Sequence, residues 1–213
     1  MDEKGTDMPE VKKVTRITDN PFLNYYELST VNRVGKSGRY FMASRAKEIS
    51  SLDLVTGENA PDGVVIFSFV RDQKPRVVLV RQYRYPLAGC VYELPAGLIE
   101  KGENYREAAV REMKEETGLV FHPLTVDPMY ERAFYNSVGM TDESCNLVYG
   151  YCEGTISRDG LEDSEELDVI LADREEAVRI LREEKAAANC AYMLMQFIAH
   201  PDDPFSFLMQ ETV

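Results

Sequence analysis

The chain contains short segments rich in β-branched and aromatic residues, separated by glycine, proline and other turn-forming residues, which is the pattern of β-strands. The segments NYYELSTV and RYFMASRA flank a turn with two glycines, VGKSG, and together predict a β-hairpin. Residues 1 to about 12 are polar and are expected to be disordered or frayed, and LDLVTGENAPDG is expected to be a connector. Further strands are predicted at GVVIFSFV, RVVLVRQYR, VYELPAG, LTVDPMYERAFYNS and SCNLVYGYCEG.

Helices are predicted in the middle of the chain and near its end. The central helix spans roughly residues 104–117, because Asn104 suits an N-cap, Glu107 completes a capping box and Gly118 suits a helix end. The segment LDVILADREEAVRILREEK begins as a strand and continues as an amphipathic helix, and AAANCAYMLMQFIAH is apolar enough to be a largely buried helix. This mixture predicts a layered fold with a sheet in the middle and helices outside it.

Composition and charge narrow the possible partners. The 213 residues are 44% hydrophobic and 29% charged, as in soluble globular proteins. With 24 Lys and Arg against 37 Asp and Glu, the formal net charge is -13, which argues against a nucleic-acid partner. A phosphorylated small molecule stays open, because a bound divalent metal can reverse the local charge.

The cysteines and the N-terminus indicate the compartment. None of the four cysteines forms a C-x-x-C pair and only two histidines occur, so a zinc site is disfavoured and four buried thiols in a reducing compartment are expected. The acidic N-terminus lacks the apolar region of a signal peptide, and no segment approaches the roughly 20 apolar residues of a membrane span. A cytoplasmic protein without a membrane partner is expected.

The central helix concentrates negative charge on one face. At helical spacing Glu112, Glu115 and Glu116 fall within an arc of about 100°, and Ala109 and Met113 beside them suit the core. Like charges at this spacing repel, and Arg111, four residues before Glu115, cannot neutralise three carboxylates. A solvated charged face is one explanation. A hard divalent cation with oxygen ligands, Mg²⁺ or Mn²⁺, is the other.

The flanking sequence favours the metal. Residues 97–119, GLIEKGENYREAAVREMKEETGL, resemble the Nudix box, whose pattern is G-x5-E-x7-R-E-U-x-E-E-x-G-U with U an aliphatic residue. The segment fills every fixed position of that pattern. These positions are Gly97, Glu103, Arg111, Glu112, Met113, Glu115, Glu116, Gly118 and Leu119.

The resemblance implies a fold and an activity. The fold is α/β, a Nudix α/β/α sandwich with an N-terminal antiparallel β-subdomain, and the activity is Mg²⁺-dependent hydrolysis of a nucleoside diphosphate linked to another group. It further implies that Glu112 and Glu116 are the main metal ligands, helped by Glu115 and the carbonyl of Ala96. Glu103 and Arg111 match a supporting ion pair that orients the carboxylates, rather than the base.

Segments outside the box resemble ADP-ribose pyrophosphatases. The stretches VRQYRYP and YELPAG place Arg84, and second Arg81, as candidates for the substrate phosphates, although edge-of-strand arginines are the alternative. The loop NSVGMTDES resembles a mobile loop that brings a glutamate to the reacting water, which here is Glu143. A polar turn is the alternative. Val138 stands where that group commonly has proline, which weakens the substrate assignment.

The N-terminal hairpin region also resembles the N-terminal β-subdomain of ADP-ribose pyrophosphatases. In this group such a subdomain builds a homodimer, so we expect residues 1–57 to form a dimerisation subdomain and residues 58–213 the hydrolase domain. Tyr25, Tyr26 and Arg45 are candidates for substrate contact, with hairpin packing as the alternative for the tyrosines. A UDP-sugar or GDP-mannose hydrolase, and less so a non-catalytic ligand sensor, remain alternatives to an enzyme acting on ADP-ribose.

Overall fold

The computed structural model describes residues 8–72, 74–161, 166–200 and 203–208, and these divide into two compact units. The first unit comprises the described residues up to Asp62 together with Ala133–Cys145, hereafter the inserted segment. The second comprises Gly63–Arg132 and the described residues from Asn146 onward. The first unit therefore includes a distant piece of chain that the expected boundary after residue 57 did not contain.

The first unit is built on a three-stranded antiparallel sheet in the order β1-β2-β3. The predicted hairpin is confirmed, with β2 and β3 paired from Asn24 opposite Ser44 to Val31 opposite Ser37. The expectation of disorder up to residue 12 is wrong for residues 10–12, because Glu10 pairs with Val31 at the start of β1, whereas residues 1–7 lie outside the described part. The elements are β1 (Glu10–Arg16), β2 (Asn24–Val31), β3 (Ser37–Ser44) and the one-turn helix α1 (Asp53–Thr56).

The second unit is a sheet with helices packed against it. Its strands run in the order β11-β5-β4-β10-β8, with β6 added beside β5 and β7 beside β4. The inserted segment of the first unit contains β9 (Ala133–Tyr135). The strands are β4 (Gly63–Val70), β5 (Arg76–Arg84), β6 (Gly89–Glu93), β7 (Ala96–Leu98), β8 (Val120–Pro123), β10 (Ser144–Glu153) and β11 (Leu167–Ala172). The helices are α2 (Tyr105–Thr117), α3 (Arg174–Glu183) and α4 (Ala188–Ala199).

Strand β4 shows why this unit is layered. Its apolar run is buried on both faces, since side chains alternate across a strand. Val64 and Ile66 pack in a core with Met113 of α2, whereas Phe69 on the opposite face lies 5.1 Å from the ring of Phe197 in α4. The predicted α/β/α arrangement is therefore confirmed, and one surface of α2 is held against the sheet.

Three local predictions need correction. The strand expected across LTVDPMYERAFYNS is interrupted by a 3₁₀ turn at Pro128–Tyr130, because the Asp127 side chain accepts the Met129 N–H at 2.9 Å and Pro128 has no N–H to donate. Strand β8 was not predicted. Helix α4 buries a stripe that includes Leu194 rather than most of its surface, and Tyr192 remains 66% exposed.

Two of the four cysteines are buried. Cys152 and Cys190 are buried as expected, and burial raises the pKa of their thiols to about 11 and about 12, so both stay protonated at neutral pH. Cys90 and Cys145 are only half-buried, contrary to the expectation of four buried thiols. Within the described ranges, no helix combines the length and the apolar character needed to cross a bilayer.

Candidate active site

The candidate site lies on helix α2, whose start is fixed by its own sequence. The Asn104 side chain accepts hydrogen bonds from the N–H groups of Arg106 and Glu107 at 3.0 Å, and the Glu107 carboxylate accepts the Asn104 N–H at 3.2 Å. Gly118 ends the helix in the left-handed conformation at φ 75°. The predicted capping box and glycine end are confirmed, so the spacing of the carboxylates along α2 is fixed.

Arg111 links three carboxylates of the box, one in the loop before α2 and two on the helix itself. Its Nε and Nη2 atoms donate to the two oxygens of Glu103 at 3.0 and 2.9 Å. Its Nη1 atom donates to Glu112 at 2.8 Å and to Glu115 at 3.0 Å, and Nη2 also reaches the Leu98 carbonyl at 2.9 Å. One guanidinium thus bridges the loop before the helix and two carboxylates on it.

Glu116 is the carboxylate that adjoins the core. It is only 4% exposed and accepts a hydrogen bond from the Ala96 N–H at 3.2 Å. Ala96 opens strand β7, which is paired to β4 through Val65. The sheet therefore places the backbone of Ala96 beside the buried end of the carboxylate face.

Gly97 provides the space for Glu112. A Cβ atom built at Gly97 would lie 1.9 Å from the Glu112 carboxyl carbon, which is far inside van der Waals contact. The glycine at this position is therefore a steric requirement of the carboxylate arrangement. Its φ is not in the left-handed region, so the requirement comes from close approach and not from backbone strain.

A cleft of about 580 Å³ opens at this face, and Glu112, Glu115, Arg111 and Gly97 contribute to its lining. Its wall also includes Gly160, where a Cβ would lie 2.8 Å from the Glu115 carbonyl oxygen. Gly160 was not among the residues predicted from the sequence. A glycine in a polar loop is the only local signal, and it does not show that the loop packs on α2.

The donor set fits a hard divalent cation. Three carboxylates and a neighbouring backbone carbonyl are oxygen ligands of the kind Mg²⁺ and Mn²⁺ prefer, and a nearly buried Glu116 favours a compensating charge. Across the described ranges, no three acidic, imidazole or thiol side chains already converge as ready-made metal ligands. The reason is visible in the contacts, because Glu112 and Glu115 are turned toward Arg111.

The ion pair with Arg111 also changes the acidity of Glu103. Hydrogen bonds from Arg111, and then from the Glu100 N–H, lower the pKa of Glu103 below the ordinary value of 4.5. The same contacts raise the pKa of Arg111, so both groups stay charged at neutral pH. Glu103 is therefore a weak proton acceptor, because its pKa is lowered and both of its oxygens already accept hydrogen bonds from Arg111.

The two arginines proposed for substrate phosphates lie on strand β5. Arg84 forms a two-pronged contact with Glu93, from Nε at 3.1 and 3.0 Å, and its side chain is half exposed. Arg81 lies 3.9 Å from Asp168 and lines a separate depression. Because the two are three residues apart on a strand, they face opposite sides of the sheet and do not form one binding surface.

The remaining predicted site residues belong to the first unit. Arg45 Nε donates to Glu143 at 2.9 Å, so the structure pairs two residues that are 98 positions apart and that the sequence proposed separately. Tyr25 is exposed and stacks on Phe41 with ring centroids 5.7 Å apart. Tyr26 is fully buried and donates to the Ala46 carbonyl at 2.6 Å, so its side chain packs the core and is not open to a ligand.

Comparisons with known proteins find similarities that cover half of this chain or more. The sequence profile of the NUDIX domain family matches residues 60–194. A Caenorhabditis elegans protein with the provisional name nudix hydrolase 2 is 34% identical over 157 residues, covering 73% of this chain and 63% of that protein. The ADP-ribose pyrophosphatase of Bacillus subtilis is 36% identical over 108 residues, covering 51% of this chain and 52% of the enzyme. The alignments thus cover between half and two thirds of the length of these relatives.

A solved structure shares the fold. The crystal structure of an ADP compounds hydrolase superposes with a TM-score of 0.61, covering 85% of this chain and 86% of that one. The sequence identity is 18%, so this likeness concerns the fold alone.

The close approach of the Glu112 carboxylate to Gly97 predicts that a larger residue at position 97 lowers the stability of the fold. Gly97→Ala should displace the Glu112 carboxylate from its hydrogen bond with Arg111 and lower the free energy of unfolding by about 0.5–1.5 kcal/mol, the usual net contribution of one hydrogen bond. Chemical denaturation measures this. Gly89→Ala is the matched control, because the nearest atom to its Cβ is the flexible Lys185 Nζ at 3.4 Å. Equal stability of the two variants would contradict the steric role of Gly97.

The ion pair between Glu103 and Arg111 predicts that the stability of the fold depends on pH. Because the pKa of Glu103 is lowered in the folded state, the ion pair with Arg111 stabilises the fold above the unfolded-state pKa, and this stability is lost as pH falls through the folded-state pKa. The difference in free energy of unfolding between the wild type and Glu103→Gln should therefore be constant at neutral pH and shrink below 4.5. If this difference in free energy of unfolding did not change with pH, a stabilising ion pair between Glu103 and Arg111 would be excluded.

Proposed function

We propose that this chain, which belongs to the Nudix family, hydrolyses the pyrophosphate bond of ADP-ribose or a related nucleoside diphosphate sugar, giving a nucleoside monophosphate and a sugar phosphate. The observation that carries the proposal is the carboxylate face of α2, where a nearly buried Glu116 adjoins Glu112 above Gly97. The substrate class is supported by relatives named ADP-ribose pyrophosphatase in Bacillus subtilis and Saccharomyces cerevisiae.

The proposed cofactor is Mg²⁺, with Mn²⁺ as a possible substitute. Glu112 and Glu116 would hold it, with Glu115 and the Ala96 carbonyl as further ligands. When bound, such a cation neutralises phosphate charge and stabilises the charge that develops at phosphorus. Arg111 donates hydrogen bonds that orient Glu112 and Glu115, and Glu103 holds Arg111 in turn.

The remaining roles concern water and substrate. Glu143 would position the attacking water or accept its proton as the P–O bond of the leaving phosphate breaks. Arg84 would bind a substrate phosphate by exchanging its contact with Glu93 for one with the ligand, and Arg81, facing the other side of the sheet, is a weaker candidate. Tyr25 and Arg45 stay candidates for substrate contact, whereas the buried Tyr26 contributes to packing.

A homodimer through the first unit is part of the proposal. Its three-stranded sheet leaves several large apolar side chains uncovered, among them the stacked Tyr25 and Phe41 and the neighbouring Leu23. Such a grouping is typical of a protein interface. A cytoplasmic location is proposed with it, consistent with the sequence.

The deciding experiment is a panel of nucleoside diphosphate sugars assayed with Mg²⁺ and with the products identified. Formation of AMP and ribose 5-phosphate from ADP-ribose is the expected result. Turnover of UDP-sugars or GDP-mannose alone would replace the substrate, which is the alternative that Val138 keeps open. Ligand binding without turnover of any member would indicate a sensor.

The metal ligands predict the largest kinetic losses. Glu112→Gln and Glu116→Gln should each reduce kcat roughly 100-fold or more, since a metal contributes several kcal/mol of transition-state stabilisation. Circular dichroism should show an intact fold. Glu107→Gln is the control on the same helix, because Glu107 belongs to the cap. Near-normal rates in both box variants would refute the assignment of these ligands.

Glu143 predicts a different signature. Glu143→Gln should lower kcat while leaving KM largely unchanged, because the residue is assigned to the water and not to substrate binding. Steady-state kinetics with the best substrate of the panel measures both constants. A change confined to KM would assign the Arg45–Glu143 pair to binding.

A further inference from the structure

A second polar cluster lies at the first turn of α2, and the proposed function does not use it. We call it the Glu131 cluster, and its members are Tyr105, Arg106, Leu124, Glu131 and Asn146, all in the second unit. Glu131 is a carboxylate with 3% exposure, and Arg106 Nη2 donates to its Oε2 atom at 2.5 Å. Tyr105 donates to the same oxygen at 3.2 Å.

The cluster joins two places in the chain. Glu131 stands just before the inserted segment and Asn146 immediately follows it. The Asn146 Nδ2 atom donates to the Glu131 carbonyl at 2.6 Å, so the two ends of the segment are tied together. Arg106 also donates to the Leu124 carbonyl at 3.0 Å, which fixes the chain that leads to Glu131.

The cluster is an inefficient way to stabilise a fold. Both Glu131 Oε1 and Asn146 Oδ1 are buried without a hydrogen-bond partner among the described residues. Glu131 is buried whereas the Arg106 side chain is 32% exposed, so the desolvation of the carboxylate offsets much of the attraction within the pair. Buried acceptors left unpaired are costly as well. The arrangement therefore indicates that the cluster serves to position the chain rather than to stabilise the fold.

We propose that Arg106, Glu131 and Asn146 are positioning residues that hold together the two chain positions at which the inserted segment, which carries Glu143, begins and ends. The kinetic part of this inference rests on the proposed function. The structural part does not, because it concerns the order of the segment itself. The segment closes on itself by the Asn136 N–H to Glu143 carbonyl hydrogen bond at 3.1 Å, so its two ends are its fixed points.

The test uses the full chain with Arg106→Met and Glu131→Leu combined, which replaces the ion pair by apolar side chains. The melting temperature should be unchanged or higher. Hydrogen exchange of amides in residues 133–145 should accelerate roughly tenfold or more, whereas amides in the core half of α2 should not change. With an active substrate, kcat should fall by roughly a hundredfold at most while KM stays unchanged.

Two further variants make the result decisive. Asn146→Ala removes only the tie between the segment ends and should show the same acceleration, which covers the case in which the double variant folds poorly. Arg179→Met combined with Glu176→Leu removes a different Arg–Glu pair, on α3, and should change neither exchange in 133–145 nor kcat.

The outcomes separate the two proposals. Unchanged exchange in 133–145 in both cluster variants would overturn the positioning role, whatever the activity. If the wild type hydrolyses no nucleoside diphosphate sugar, the proposed function fails and the exchange data alone decide the positioning role. A loss of kcat that only parallels a loss of melting temperature, with unchanged exchange, would assign the cluster to stability.

Discussion

Arg111 donates hydrogen bonds to Glu103, Glu112 and Glu115, and the geometry of the candidate site depends on that compensation. Helical spacing forces the box carboxylates onto one face, where they repel each other. Burial of Glu116 against the sheet adds a desolvation cost. One guanidinium relieves part of this charge and leaves a net negative, oxygen-rich face, which is the electrostatic condition that a divalent cation satisfies.

The sheet and its glycines convert that charge into a defined site. Pairing of β7 with β4 places Ala96 beside Glu116, and the missing side chain of Gly97 admits Glu112. The missing side chain of Gly160 likewise allows its loop to pack closely against the backbone of Glu115. The packing of α2 in the α/β/α layers therefore fixes the positions of the box carboxylates. On a helix without that packing, the same carboxylates would form a solvated, charged face.

The residues proposed for substrate and water are distributed differently. Arg84 is fixed on β5 in the second unit, whereas Glu143 and Arg45 pair within the first. The inserted segment that carries Glu143 leaves the second unit after Arg132 and returns at Asn146. The residues proposed for metal binding and those proposed for the substrate and the water thus lie in different parts of the chain.

Sequence patterns predicted those features of the fold that depend only on residues close together in the chain. The hairpin of β2 and β3, the cap at Asn104 and the glycine end of α2 follow from propensity and hydrogen bonding within a few positions, and the structure has all three. Contacts across long separations were not predictable. The pairing of Arg45 with Glu143, the burial of Tyr26 and the Glu131 cluster depend on tertiary packing, and the turn at Pro128 depends on one competing side chain, Asp127.

The central claim, that the carboxylate face of α2 is a cation site, is tested most directly by thermal unfolding with and without Mg²⁺ at constant ionic strength. A ligand that binds only the folded state stabilises it by about 2.7 kcal/mol at a concentration 100 times its Kd. The melting temperature of the wild type should therefore rise with Mg²⁺, and that of Glu116→Gln should rise much less. Identical melting temperatures for the wild type with and without Mg²⁺ would contradict the account.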